Sequence, residues 1–198
     1  MAYLKPYDLV AIISPSGSIN KTDNVKKNIE FLKNKWKLNV VNGDYIFNSF
    51  NFFAGTDNQR FEDLQKFLND PDIKAIFCTR GGYGLMRLLP LIDLNGFRNS
   101  PKIVIGFSDI TSLLNLIYQR TSLPTIHGPM LNNFYFEENN QSSEYLYEIL
   151  FIDKSFEYLL PSSKYNITGN AEGILIGGNL SIIYSLQGTP YEIDTNDK

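Results

Sequence analysis

Cysteine and histidine are almost absent from this chain, with one of each, Cys78 and His127, in 198 residues. A single cysteine excludes an intrachain disulfide and a cysteine-built metal cluster and suits a reducing compartment, so the expected location is the cytoplasm. A single histidine leaves one imidazole as a candidate base. Long apolar runs are missing too. No stretch approaches the roughly 20 residues of a membrane helix. The first apolar run, Leu9 to Ile13, is closed by Ser14 and Pro15 before a signal-peptide core can form, so no membrane association is expected. Positive charge is not in excess: Lys and Arg number 18 against 21 Asp and Glu, for a net charge of -3. Such a surface offers phosphate backbones no basic field, and nucleic acid is not an expected partner. Internal repeats are absent, as are the GxGxxG and Walker lysine patterns of nucleotide sites.

What is present is an ordinary globular composition, with 43% hydrophobic and 20% charged residues. The 14 Phe and 12 Tyr are spread along the chain and read as core. Short β-branched runs alternate with helical periods, which predicts a parallel sheet covered by helices. Leu9 to Ile13 reads as a buried strand, followed by a helix with Val25, Ile29 and Leu32 on one face and Asn20 or Thr22 as N-cap. Leu38 to Val41 is the next strand. Thr56 and Gln59 have capping-box spacing ahead of an apolar stripe of Phe61, Leu64, Phe67 and Leu68. Strands at Ile73 to Cys78 and Ile103 to Ile105 each run into a polar turn. The expected fold is an α/β, flavodoxin-like N-terminal domain over residues 1–135 with helices on both faces. A linker region over 136–165 and the start of a second, β-rich α/β domain over 166–198 follow, with a strand, a glycine turn and a helix in Ala171 to Gly188.

In open parallel sheets the ligand crevice lies beyond the carboxyl ends of the strands, where both polar turns fall. The first, Arg80-Gly81-Gly82-Tyr83-Gly84, offers backbone amides that can nest an anion, with Arg80 able to grip a carboxylate. It reads equally as a conformational turn with a surface arginine. In the second, Gly106-Phe107-Ser108-Asp109, a strand turns into a helix carrying Ile110, Leu113, Leu114 and Ile117. Ser108 there has the outline of a nucleophile elbow, with the Asp109 N–H aimed at developing negative charge. As local sequence, Ser108 and Asp109 also read as helix caps. G-F-S-D is not the G-x-S-x-G of lipases, since Ile110 occupies the second glycine position. His127, in Thr125-Ile126-His127-Gly128-Pro129, serves as a base or as a satisfied structural histidine.

Taken in order, FAGTDNQRFEDLQKFLNDPDIKAIFCTRGGYG, PKIVIGFSDIT, HGPM and EGILIGGNLSIIYSLQGTP resemble the motif series of the LD-carboxypeptidase family over most of the chain. The resemblance implies a serine peptidase releasing terminal D-alanine from cell-wall muropeptides, without metal or organic cofactor, and a homodimer. It assigns Ser108 as nucleophile and the backbone amides of Gly82 and Asp109 as oxyanion hole, with Arg80 and Tyr83 as substrate-binding candidates. It places the triad glutamate and histidine downstream of the GGNLS and GTP segments, so neither is in this chain. His127 and Glu172 do not match them, a Ser108–His127 pair is rejected, and residues 1–198 alone are expected to turn over weakly or not at all. Microcin-immunity peptidases share the G-[YF]-S-D serine, but the resemblance associates the intact R-G-G-Y-G turn with the cell-wall enzymes. A non-catalytic domain binding a small anion or peptide at the same two turns is the alternative of another class.

Overall fold

The computed structural model describes residues 4–132, 140–152, 157, 161–167 and 169–195. Among these residues five strands form one parallel sheet: β1 (Leu9–Ile13), β2 (Asn39–Asn42), β3 (Ile73–Cys78), β4 (Ile103–Gly106) and β5 (Ile126–His127). Their spatial order, β2-β1-β3-β4-β5, is the flavodoxin-like one. β2 sits one residue later than its pattern predicts. The helices are α1 (Thr22–Asn34), α2 (Asp57–Asn69), α3 (Asn95–Asn99), α4 (Thr111–Thr121), α5 (Gln141–Phe151) and α6 (Leu180–Leu186).

The central strands are apolar on both sides because both sides are covered. Along β1, Ala11 and Ile13 face one core while Val10 and Ile12 face the other, and β3 divides Ile76 and Cys78 from Ala75 and Phe77 in the same way. The first core is completed by Leu64, Phe67 and Leu68 of α2 and by Leu113 and Ile117 of α4. The second takes Val25, Ile29 and Leu32 of α1 together with Leu146 and Leu150 of α5. Cys78 is fully buried at the end of β3, and desolvation pushes its thiol pKa up, so it stays protonated and inert.

Two assignments change. Residues 141–151, placed by composition in a linker, form a capped helix whose Leu150 carbonyl accepts from the Leu4 N–H at 2.8 Å and whose Tyr147 and Phe151 pack on Trp36. The amphipathic period outweighs its polar flanks because Trp36 gives it something to bury. The boundary at 135 lies outside the described residues. Further on, the glycine turn (Gly177, Gly178) and the helix form as expected, but the β-rich character does not appear among the described residues of 166–195. Leu175 is fully exposed, and without a neighbouring strand to supply hydrogen bonds its segment stays unpaired. No described helix is long and apolar enough to cross a membrane.

The N-cap of α1 is Lys21, which makes no side-chain capping bond, so neither Asn20 nor Thr22 takes that role. The capping box of α2 is present in full: Thr56 Oγ1 accepts from Gln59 N at 3.3 Å, and Gln59 Oε1 accepts from Thr56 N at 2.9 Å. Thr56→Ala is therefore expected to destabilise the chain by about 1 kcal/mol and to lower Tm by roughly 2–4 °C in a thermal melt.

Candidate active site

The site lies where the strand order reverses, between β1 and β3, with β4 alongside β3. The loop after β1, Ser14 to Gly17, and the turn after β3, Arg80 to Gly84, touch backbone to backbone: Gly17 N–H donates to Gly81 O at 3.0 Å. A Cβ on Gly17 would lie 2.7 Å from that carbonyl, so the contact requires glycine.

β4 ends at Gly106, and the chain reverses through Phe107 and Ser108 into α4. Ser108 is half-buried and left-handed, with φ +62°. A serine in that conformation costs on the order of 1–2 kcal/mol, which persists only where surrounding contacts over-determine it. Gly81 packs directly against it. A Cβ on Gly81 would fall 2.9 Å from Ser108 Cβ, 3.1 Å from Ser108 Oγ and 3.2 Å from Asp109 N. The amides of Gly81, Gly82 and Asp109 donate to no partner among the described residues, and Gly82 continues the turn at φ +120°. The serine side chain and a set of uncommitted N–H donors thus lie side by side, the arrangement that acyl transfer through an oxyanion requires.

The other expected site residues fall as follows. Tyr83 is exposed at the rim, its ring 6.2 Å from that of Phe53. Arg80 commits Nη1 to Ser18 O, which ties the glycine turn to the loop after β1. His127 stands on the edge strand with its ring edge-on to Phe107 at 6.1 Å; no hydrogen bond joins it to Ser108 among the described residues. Desolvation of its ring lowers its pKa. Among the described residues no three His, Cys, Asp or Glu side chains converge as metal ligands would.

Two buried side chains, those of Asp109 and Arg60, escape the sequence patterns. Asp109 is fully buried; its Oδ2 accepts from Ser16 Oγ at 2.5 Å and from Leu85 N at 3.0 Å. Desolvation raises its pKa, while the Ser16 and Leu85 hydrogen bonds and the charge of Arg60 oppose that rise. Arg60, 1% exposed on α2, donates from Nη1 to Pro15 O at 2.7 Å and Gly84 O at 3.1 Å, and pairs with Asp57. Its position four residues before Leu64 put a charge on the buried face of α2, and that was the available signal.

A serine held at positive φ at a strand-to-helix turn of a doubly wound sheet, beside free backbone amides, defines an α/β protein with a strand–serine–helix elbow. The chain belongs to the LD-carboxypeptidase family, whose N-terminal domain matches residues 10–128. It is 38% identical to a probable murein peptide carboxypeptidase of Bacillus subtilis over 96% of this chain and 60% of that protein. Among solved structures it is similar to an MccF-like protein from Bacillus anthracis (TM-score 0.85, 31% identity, all of this chain and 67% of that one). It is also similar to the muramoyltetrapeptide carboxypeptidase of Oxalobacter formigenes (TM-score 0.79, 27% identity, 94% of this chain and 62% of that one). The chain thus spans 60–62% of the length of the first curated relatives it matches.

Proposed function

We propose that these residues form the nucleophile-bearing part of a serine LD-carboxypeptidase that releases terminal D-alanine from cell-wall muropeptides. The observation that carries the reading is Ser108 at φ +62° with Gly81 packed against it and the Asp109 amide beside it. In this reading Ser108 Oγ attacks the carbonyl carbon between the L-centre of a diamino acid and D-alanine. The oxyanion settles on the Gly82 and Asp109 amides, and the C–N bond breaks as the departing amine takes a proton. The resulting ester is then hydrolysed by water. Arg80 and Tyr83 line the approach to the crevice. The glutamate and histidine that move the proton come from the part of the relatives' length that this chain does not span. We place the activity in the cytoplasm, as the single buried Cys78 suggests, and in a homodimer, as the family resemblance implies.

A second reading, cleavage of a peptide–nucleotide conjugate of the microcin type, is favoured by the similarity to the MccF-like protein from Bacillus anthracis. Both substrates should be offered to a protein that carries these residues over the relatives' full length, with D-alanine and the released nucleotide quantified. Steady D-alanine release, absent from residues 1–198 alone, supports the proposal; nucleotide release without D-alanine sinks it.

A further inference from the structure

Asp109 and Arg60 stand on opposite sides of the same two loops. Asp109 accepts from Ser16 and Leu85, while Arg60 donates to the carbonyls of Pro15 and Gly84. Gly84 C=O and Leu85 N–H belong to one peptide unit. That unit therefore links a buried cation to a buried anion, guanidinium to carbonyl on one side and amide to carboxylate on the other. Each hydrogen bond polarises the peptide in the sense that strengthens the other. The same residues join α2, the loop after β1, the glycine turn and the serine turn into one buried knot. Arg60 Nε and Asp109 Oδ1, both buried, have no hydrogen-bond partner among the described residues, a desolvation cost that a purely structural core would be expected to shed.

We infer that the Asp109 side chain and Arg60 are positioning residues, coupled through the Gly84–Leu85 peptide, that lock the Ser108 turn against the glycine turn. The inference rests on the proposed reaction for its consequence, though not for its geometry. Ser108 needs its left-handed conformation held by its surroundings, and the residue following it is anchored by its carboxylate to both neighbouring loops. Fixing that carboxylate fixes the direction of the Asp109 N–H and the distance from Ser108 to Gly81. Arg60 holds the same loops from the α2 side and supplies the counter-charge.

The test has two arms. In 15N NMR of the 198-residue chain, Asp109→Asn and Arg60→Met should each shift the Leu85 amide resonance and speed its hydrogen exchange, and the double variant should add little to either single. If Arg60→Met does not fold, Arg60→Lys carries this arm, with a smaller change in the same direction. In the protein at the relatives' full length, Asp109→Asn should lower kcat for D-alanine release about 10- to 100-fold while KM stays nearly unchanged. Arg60→Lys should there recover part of the kcat lost in Arg60→Met. A folded Arg60 variant with the Leu85 amide as in wild type would overturn the coupling, and an unchanged kcat in Asp109→Asn would overturn the positioning role. Wild-type protein that releases no D-alanine would defeat the proposed function, while the Leu85 amide would still decide this inference.

Discussion

Ser108→Ala, in a protein with these residues over the relatives' full length, is expected to lower kcat for D-alanine release by at least about 10³-fold while leaving the fold and substrate affinity intact. The magnitude follows from the division of labour in acyl transfer. On the proposed mechanism no ester forms without the hydroxyl, and what remains is the binding and oxyanion stabilisation assigned there to Gly82 and Asp109, which a water molecule uses poorly. Stability should not fall, because Ser108 donates no side-chain hydrogen bond to the fold among the described residues and carries left-handed strain at φ +62°. Ser108→Gly would relieve that strain and should raise Tm slightly even as it abolishes turnover. Loss of turnover with unchanged or improved Tm separates a nucleophile from a helix cap, since removal of a cap lowers stability.

The second large effect is expected at Gly81. Its backbone does not adopt a positive φ, so alanine is conformationally acceptable there, unlike at Gly82 (φ +120°) or Gly84 (φ +116°). The obstacle is space: the new methyl would lie 2.9 Å from Ser108 Cβ, closer than carbon atoms pack, and a tight 3.2 Å from Asp109 N. Neither neighbour can swing away, because Ser108 is pinned by the turn and Asp109 by Ser16 and Leu85. The serine turn must shift by a few tenths of an ångström, and both Ser108 Oγ and the Asp109 N–H move with it. Gly81→Ala should lower kcat about 10²-fold in the full-length protein, with the larger share in kcat rather than KM. Fold retention is read by circular dichroism. Wild-type kcat in a folded Gly81→Ala protein would mean that the glycine turn and Ser108 do not form one site.

The parts of this structure legible in the sequence are those encoded locally. Buried β-branched runs ending in polar turns gave β1, β3 and β4, and Thr56 with Gln59 gave the start of α2. β2 was displaced by one residue because its half-exposed NVVN has no unbroken apolar run to mark its ends. Ser108 was legible by position, since only a strand and a helix on either side are needed to place it at an elbow. Its left-handed backbone was not legible, because serine is not a residue that announces φ > 0. Nor was the knot of Asp109, Ser16, Leu85 and Arg60, whose members lie 24 to 93 residues from their partners and meet only when the strand order brings three loops together. The strand expected after Glu172 illustrates the converse. Its residues have the propensity, but a strand is a property of a pair, and no described residue supplies the other half.

The nucleophile assignment is tested most directly by trapping. The protein at the relatives' full length, treated with a fluorophosphonate or quenched during turnover of a muropeptide tetrapeptide, can be digested with trypsin and analysed by mass spectrometry. Cleavage after Lys102 and Arg120 yields a peptide in which Ser108 and Ser112 are the only serines. A single adduct on Ser108, abolished by Ser108→Ala and protected by substrate, is the predicted result. D-alanine release with the adduct on another residue, or release undiminished in Ser108→Ala, would contradict it.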